Sequence, residues 1–194
     1  MNTIVNIKPQ HLRAVITHAA KKDVRYYLNG VLLERDTIGR FYLVATDGSR
    51  LAVGTFFDPE STQAGPWQII IPLDVCKTAA KSKVPALRLV ARGDGKYEIA
   101  DLVFTPIDGR FPDWRRVCVA TAPIEPGDYN HELLADAVEF IRVWSGDKKQ
   151  GRVLQQGRAG AQITGVDGDC LAVVMPLRLN GATSGADRAP RFFA

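Results

Sequence analysis

The sequence repeats one order of predicted elements, in which a strand and a helix are followed by three strands. The repeat has a period of about 60 residues, and an internal repeat constrains a fold more strongly than any local motif. In the first copy a helix opens at Pro9 and extends to about Lys22, with Leu12, Val15 and Ile16 at helical spacing. The strand-like runs of this copy are residues 3–7, 26–34, 41–46 and 50–56.

Two further copies follow the first. The second copy has a helix at 73–83, and its strand-like runs are 67–72, 86–91, 96–100 and 102–107. The third has a helix at 131–144, and its strand-like runs are 153–157, 161–166 and 170–179. We therefore predict a complete two-unit domain at 1–118, a proline-rich linker at 119–127, half a domain at 128–180 and a flexible tail at 181–194.

Composition favours a cytoplasmic binding protein. The first residues lack a secretory pattern, and no apolar run approaches the roughly 20 residues of a membrane helix. Cys76, Cys118 and Cys170 form no CxxC pair and no histidine lies near them, so we expect reduced core residues and no metal site. The net charge of +4 is compatible with a polyanionic partner without proving one.

The sequence contains no signature of a familiar enzyme. It has no P-loop, GxSxG or HExxH motif, and the aspartates at positions 47, 108 and 167 each precede glycine, which is typical of turns. We predict a non-catalytic scaffold that needs no cofactor.

Four short strings carry a specific resemblance. They are RYYLNG at 25–30, VATDGSRLA at 44–52, DGRFPDWRRV at 108–117 and VVMPLR at 173–178. Together they resemble the bacterial sliding clamp family, the β subunit of DNA polymerase III, over about residues 3–180. The resemblance implies an α+β DNA-clamp fold of three β-α-β-β-β units, or one and a half clamp domains, with helices inside and sheets outside an oligomeric ring.

In the clamp family a ring contains twelve such units, so four copies of this chain would supply them. A tetramer is therefore favoured, while a trimer or dimer of other geometry stays open. The reduced size suggests a phage or mobile-element version of the clamp.

The family function implies a ring that encircles double-stranded DNA and tethers DNA polymerase and other replication proteins. Sequence-independent contacts with phosphates suit a ring that slides. The residues expected to approach DNA are Arg13, Lys21, Lys22, Arg25, Tyr26, Tyr27, Lys77 and Lys81. The third helix departs from this pattern, because its polar side is net negative, with the acidic residues Glu132, Asp136 and Glu139 and the basic residue Arg142. Either it does not line the hole, or Lys148 and Lys149 compensate.

The resemblance also implies a cleft in which DNA polymerase and the clamp loader insert a short hydrophobic peptide. Its expected residues are Leu28, Thr46, Gly48, Arg50, Leu51, Pro112, Arg116, Val117, Val173, Val174, Met175, Pro176, Leu177 and Arg178. We expect the arginines to lie at its rim. Ser49 stands where the family commonly has histidine, and Leu177 where methionine is common, so the preferred peptide is expected to differ.

Two other functions compete with this prediction. One is a clamp-like decoy that keeps the cleft and binds host replication proteins without encircling DNA. The other is a nuclease or another nucleic-acid enzyme, which would need a carboxylate cluster that the sequence does not reveal.

Overall fold

A computed structural model describes residues 3–118, 127–146, 150–155 and 159–177. The α-helices are α1 (Pro9–Val15), α2 (Leu73–Ala79), α3 (Arg115–Cys118) and α4 (His131–Trp144). The strands are β1 (Thr3–Ile7), β2 (Gly30–Arg35), β3 (Phe41–Thr46), β4 (Arg50–Phe56), β5 (Trp67–Pro72), β6 (Leu87–Gly93), β7 (Lys96–Ile99), β8 (Leu102–Phe104), β9 (Gly151–Gln155), β10 (Ala161–Gly165) and β11 (Cys170–Val174). The predicted α+β class is confirmed.

The first two helices are shorter than the sequence predicts. α1 ends at Val15 and a 3-10 turn continues to His18, after which Ala19 adopts an extended conformation. The amide of Ala20 then donates to the carbonyl of Leu28, which closes a loop instead of extending the helix. α2 ends at Ala79, so Lys81 lies in the turn that follows.

The first predicted strand after α1 also begins later than expected. Residues Tyr26–Leu28 form a 3-10 turn, and β2 starts at Gly30. The Asn29 side chain accepts from the Asp23 amide and donates to the Asp23 carbonyl, with both distances 2.9 Å, and so holds this turn. Strand β11 ends at Val174, before the proline at position 176.

The first two copies of the repeat exchange strands. β1 of the first copy pairs with β6 in a four-stranded sheet of order β1-β6-β7-β8. β5 of the second copy pairs with β2, placing Leu32 opposite Ile70, in a seven-stranded sheet of order β5-β2-β3-β4-β11-β10-β9. Because each copy completes the sheet of the other, residues 3–104 fold as one unit.

The third copy extends the sheet of the first. β11 pairs antiparallel with β4, with Ala172 opposite Ala52. α4 packs beside α1, and α1 also contacts α2, so the three helices lie in one layer. Gln10 on α1 donates to the carbonyls of Val143 and Trp144 at the end of α4, at 3.4 and 3.2 Å. The apolar face of the predicted half-domain is therefore covered within the same chain.

The seven-stranded sheet separates two apolar clusters, because alternate residues of a strand face opposite sides. In β5, Ile69 and Ile71 join the main core under the helices, whereas Ile70 joins a second core on the other face. The second core consists of Ala20, Leu28, Leu32, Val44, Leu51, Val53, Ile70, Phe111, Trp114 and Val173. The connector after β8 therefore covers the outer face of this sheet.

Other general predictions concern membranes, metals and thiols. None of the helices in the described ranges is long and apolar enough to cross a membrane. Within the same ranges, no group of three His, Cys, Asp or Glu side chains is placed to hold a metal ion. Cys76 and Cys170 are buried free thiols and Cys118 is partly buried.

Candidate functional site

A pocket of about 220 Å³ opens beside the ends of β4 and β11, next to the connector that covers the second core. Its lining residues come from four separated segments of the chain. They are Arg25, Leu28, Thr46, Gly48, Arg50, Leu51, Pro112, Asp113, Trp114, Val117, Val173 and Met175. Nine of these belong to the predicted cleft, and tertiary packing brings them to one place.

The floor of the pocket is apolar and almost closed to solvent. Leu28 and Val173 are each 1% exposed, and both belong to the second core. Val117 and Met175 at the edge of this floor remain 40% and 37% exposed. An apolar ligand that covered these two side chains would remove more hydrophobic surface from water.

A tight turn between β3 and β4 forms one wall. The carboxylate of Asp47 accepts from the amides of Ser49 and Arg50, at 2.9 and 3.1 Å. Gly48 has φ +94°, a conformation that favours glycine. A Cβ at this position would also lie 3.0 Å from the guanidinium nitrogens of Arg25, so a larger residue would displace that guanidinium.

Arg50 links the pocket to the helical layer. Its Nε donates to Asp47 Oδ2 at 2.9 Å and its Nη2 donates to the carbonyl of Thr17 at 2.9 Å. Its Nη1 pairs with the carboxylate of Asp136 on α4. The side chain is only 12% exposed. Arg50 was expected at the rim, but its guanidinium is engaged by the protein itself.

Arg25, predicted to approach DNA, also lines the pocket. Its Nη2 lies 2.7 Å from Asp23 Oδ2 and donates to the carbonyl of Asp47 at 3.2 Å. The hydrogen bond from Arg25 holds the pKa of Asp23 at about 2. A contact with DNA stays a prediction for Arg25.

Sequence reasoning did not select Asp113 and Trp114 as lining residues. The Trp114 indole is 8% exposed, and its Nε1 donates to Glu34 Oε2 at 3.1 Å. Arg115 pairs with the same carboxylate at 2.8 Å and places its guanidinium carbon 4.1 Å from the centroid of a Trp114 ring. The signal for these residues was present, because both lie inside the FPDWRRV string.

Several predicted cleft residues lie away from the pocket. Val174 is fully buried in the main core, because strand alternation turns it to the face opposite Val173. Arg116, Pro176 and Leu177 do not line the pocket. Leu177 is 49% exposed, and its amide donates to the carbonyl of Asp128 at 2.7 Å. Arg178 lies outside the described residues.

The predicted DNA-facing residues are solvent-exposed except for Tyr27, which is partly buried. Arg13 lies on α1 and Lys77 in the last turn of the adjacent α2. Lys21 and Lys22 lie in the loop after the first 3-10 turn. Tyr26 is 57% exposed and its ring centroid is 5.7 Å from that of Tyr27. Their contact with DNA stays a prediction.

The acidic side of α4 is partly neutralised within the chain. Glu139 pairs with Arg142 at 2.6 Å, and Asp136 pairs with Arg50. Glu132 lies in the first turn of the helix, where a negative charge is favourable. Lys148 and Lys149, considered as compensating charges, lie outside the described residues.

The family follows from a comparison with known proteins. Residues 6–113, more than half of the chain, match the model of the DNA polymerase III beta subunit, central domain. The chain belongs to the DNA polymerase III beta subunit family.

Individual sliding clamps agree with this assignment. The beta sliding clamp of Buchnera aphidicola is 41% identical over 104 residues, which are 50% of this chain and 28% of that protein. The beta sliding clamp of Escherichia coli K12 is 32% identical over 145 residues, which are 68% of this chain and 37% of that protein. The matched regions therefore span well under half of these two sliding clamps.

Solved structures establish the clamp fold. The DNA polymerase III beta subunit of Pseudomonas aeruginosa superposes with a TM-score of 0.71 at 22% identity, covering 88% of this chain and 63% of that chain. The beta subunit of Thermotoga maritima gives a TM-score of 0.69 at 17% identity, covering 92% and 67%. The predicted clamp fold is confirmed.

Proposed function

We propose that this chain is a sliding clamp that encircles double-stranded DNA and tethers DNA polymerase and other replication proteins through the pocket. The observation that carries the proposal is the pocket itself. Residues as distant in sequence as Leu28, Pro112 and Met175 meet around an apolar floor. Such a floor suits the hydrophobic side chains of a short peptide from a polymerase or a clamp loader, and Met175 adds an adaptable wall.

The distribution of charge supports a role on DNA. Exposed cations on α1, α2 and the loops that follow them belong to one helical layer. Cations that contact phosphates attract a duplex without reading its sequence, which suits a protein that slides. This role requires no catalysis and no cofactor, and it places the protein with DNA in the cytoplasm.

Assembly into a closed ring completes the proposal, with four copies as the favoured number. Within the described residues, β1 and β8 end the four-stranded sheet and β5 and β9 end the seven-stranded sheet, so each has one unpaired edge. Such an edge readily accepts a strand from another copy, and closed symmetry would repeat the same edge pairing at every interface of a ring. A sliding clamp of Pseudomonas aeruginosa, with a TM-score of 0.62 to this chain, has been solved bound to griselimycin, which supports ligand binding by this fold.

A peptide-binding assay tests the pocket. Met175→Glu introduces a charge at a lining residue that is 37% exposed, so it should weaken binding of a fluorescein-labelled clamp-motif peptide from a bacterial polymerase at least tenfold. Val153→Glu is the matched control, because Val153 is 56% exposed on β9 and does not line the pocket. Equal affinity in the wild type and Met175→Glu would remove the pocket from the proposal.

Light scattering on a sizing column tests the ring. A closed oligomer that stays intact on dilution, and that stays on circular but not on linear DNA after loading, is the expected result. A monomer that still binds the peptide would contradict encirclement and replace the clamp with the decoy function.

A further inference from the structure

The charged side chains around the pocket differ in whether they form an ion pair within the chain. Its two arginines already pair with carboxylates of the chain, Arg25 with Asp23 and Arg50 with Asp47 and Asp136. Asp113 interacts electrostatically with the neighbouring Arg115, but the ion pair of Arg115 is with Glu34, and within the described residues no lysine or arginine lies in ion-pair contact with Asp113. The pocket therefore combines an apolar floor with one exposed acidic group, and it favours a ligand that carries a cation beside a large apolar side chain.

The sequence that follows β11 contains a segment with this chemistry. Residues 188–193 read RAPRFF, in which Arg191 directly precedes Phe192 and Phe193. Residues 180–187, NGATSGAD, are small and polar, which is a composition common in linkers. Aromatic side chains bury a large apolar area, and an arginine pairs well with a carboxylate.

We propose that residues 188–193 bind in the pocket of their own chain and compete there with partner peptides. The proposal rests on the proposed function of the pocket as a peptide-binding cleft. Phe192 or Phe193 would cover the apolar floor beside Met175, and Arg191 would pair with Asp113.

The tether is long enough for this contact. Leu177 is two residues beyond the pocket-lining Met175, and fourteen residues lie between it and Phe192. A flexible chain of this length has a root-mean-square span of about 20 Å. A tether of this kind provides an effective concentration of about 1 mM, so even a segment with an intrinsic Kd of about 100 μM would weaken partner binding about tenfold.

A double substitution in the full-length protein tests the competition. The variant Phe192→Ser/Phe193→Ser should bind the labelled clamp-motif peptide about tenfold more tightly than the wild type, in fluorescence polarisation at several protein concentrations. Phe57→Ser is the matched control, because Phe57 is 69% exposed and follows β4 at the end opposite the pocket. Measurable binding of the clamp-motif peptide with equal affinity to the wild type and the double variant would overturn the proposal.

A second measurement separates failure of this proposal from failure of the proposed function. A synthetic peptide of residues 184–194 is titrated into the Phe192→Ser/Phe193→Ser protein, with and without Met175→Glu. The proposal is supported if the synthetic peptide binds, if Met175→Glu abolishes that binding and if Asp113→Asn weakens it. This holds even if the clamp-motif peptide binds neither protein. If the synthetic peptide does not bind, the proposal for the tail is overturned. If the clamp-motif peptide still binds tightly in that case, the proposed function of the pocket is retained.

Discussion

The imidazole ring of His11 stacks on the indole ring of Trp144, with 4.0 Å between the ring centroids and an interplanar angle of 10°. This contact joins α1 of the first copy of the repeat to α4 of the third. A second buried histidine, His18, makes an edge contact with Phe140 one turn before Trp144 on α4. The attachment of the third copy therefore includes two buried imidazoles.

Acid should weaken this attachment. Burial, aided by the charge of Lys8 at His11 and of Arg50 at His18, lowers the pKa of each histidine from 6.5 to about 4. Below pH 6.5 the unfolded chain binds protons that the folded chain does not, so the free energy of unfolding should fall steadily down to about pH 4. The loss should be on the order of 3 kcal/mol per histidine.

Urea denaturation at pH 7 and pH 5 measures most of this loss, about 2 kcal/mol per histidine over this interval. His11→Phe keeps an aromatic ring against Trp144 and removes the titrating group, so it should reduce the acid sensitivity. An unchanged pH dependence in both His11→Phe and His18→Asn would assign acid unfolding to other groups.

Gly54→Ala should weaken the packing of the third copy against the first. A Cβ at Gly54 would overlap the indole ring of Trp144, which packs directly on this strand glycine. The indole is rigid and buried, so the expected cost in the free energy of unfolding is about 3 kcal/mol. Chemical denaturation measures it. In a Trp144→Leu background the same substitution should cost much less, and an equal cost would contradict the proposed overlap.

Gly48→Ala should disturb the pocket in two ways. The backbone at Gly48 has φ +94°, so alanine should cost about 1 kcal/mol in the free energy of unfolding. Its Cβ would also press on Arg25 at 3.0 Å and should weaken peptide binding. Gly93→Ala is the matched control, since Gly93 has φ +85° and no atom within 4 Å of the added Cβ. Peptide titrations in which both variants retain wild-type affinity would show that Arg25 does not shape the pocket.

Removing Arg50 should cost more stability than removing one of its partners. Arg50→Met leaves the carboxylates of Asp47 and Asp136 and the carbonyl of Thr17 without this donor, and should cost about 2–3 kcal/mol. Asp136 is 49% exposed, so Asp136→Asn should cost about 1 kcal/mol or less. A double-mutant cycle from urea denaturation checks this order, and a zero coupling energy would contradict the Arg50–Asp136 pair.

Neutralising Lys77 should weaken association with DNA. If α2 faces the duplex, Lys77→Gln should reduce the slope of log affinity against log salt by about one. Lys96→Gln is the control. Lys96 lies away from α2 on the β6–β7 hairpin of the four-stranded sheet, where it pairs with Asp94 at 3.3 Å. Filter binding across a salt series measures both slopes. Equal slopes for Lys77→Gln and the wild type would place α2 away from DNA.

Local sequence patterns determined much of the secondary structure. The bounds of β3, β4, β5 and α4 are as predicted, because hydrophobic periodicity and turn residues act over two to four positions. The four strings that resemble sliding clamps identified the family and most of the pocket-lining residues. The domain boundaries and the DNA-facing role of the cations stay predictions.

Only the tertiary structure decided which distant residues meet. The exchange of β1 and β5 between the first two copies depends on strand pairing between segments more than 30 residues apart, which no local spacing encodes. The same is true of Arg50, a charged residue after a turn whose pairing with Asp136 requires α4 to dock on α1. Short-range preferences of the chain determined where its helices and strands form. Strand register, helix docking and burial determined which strands, helices and side chains contact one another.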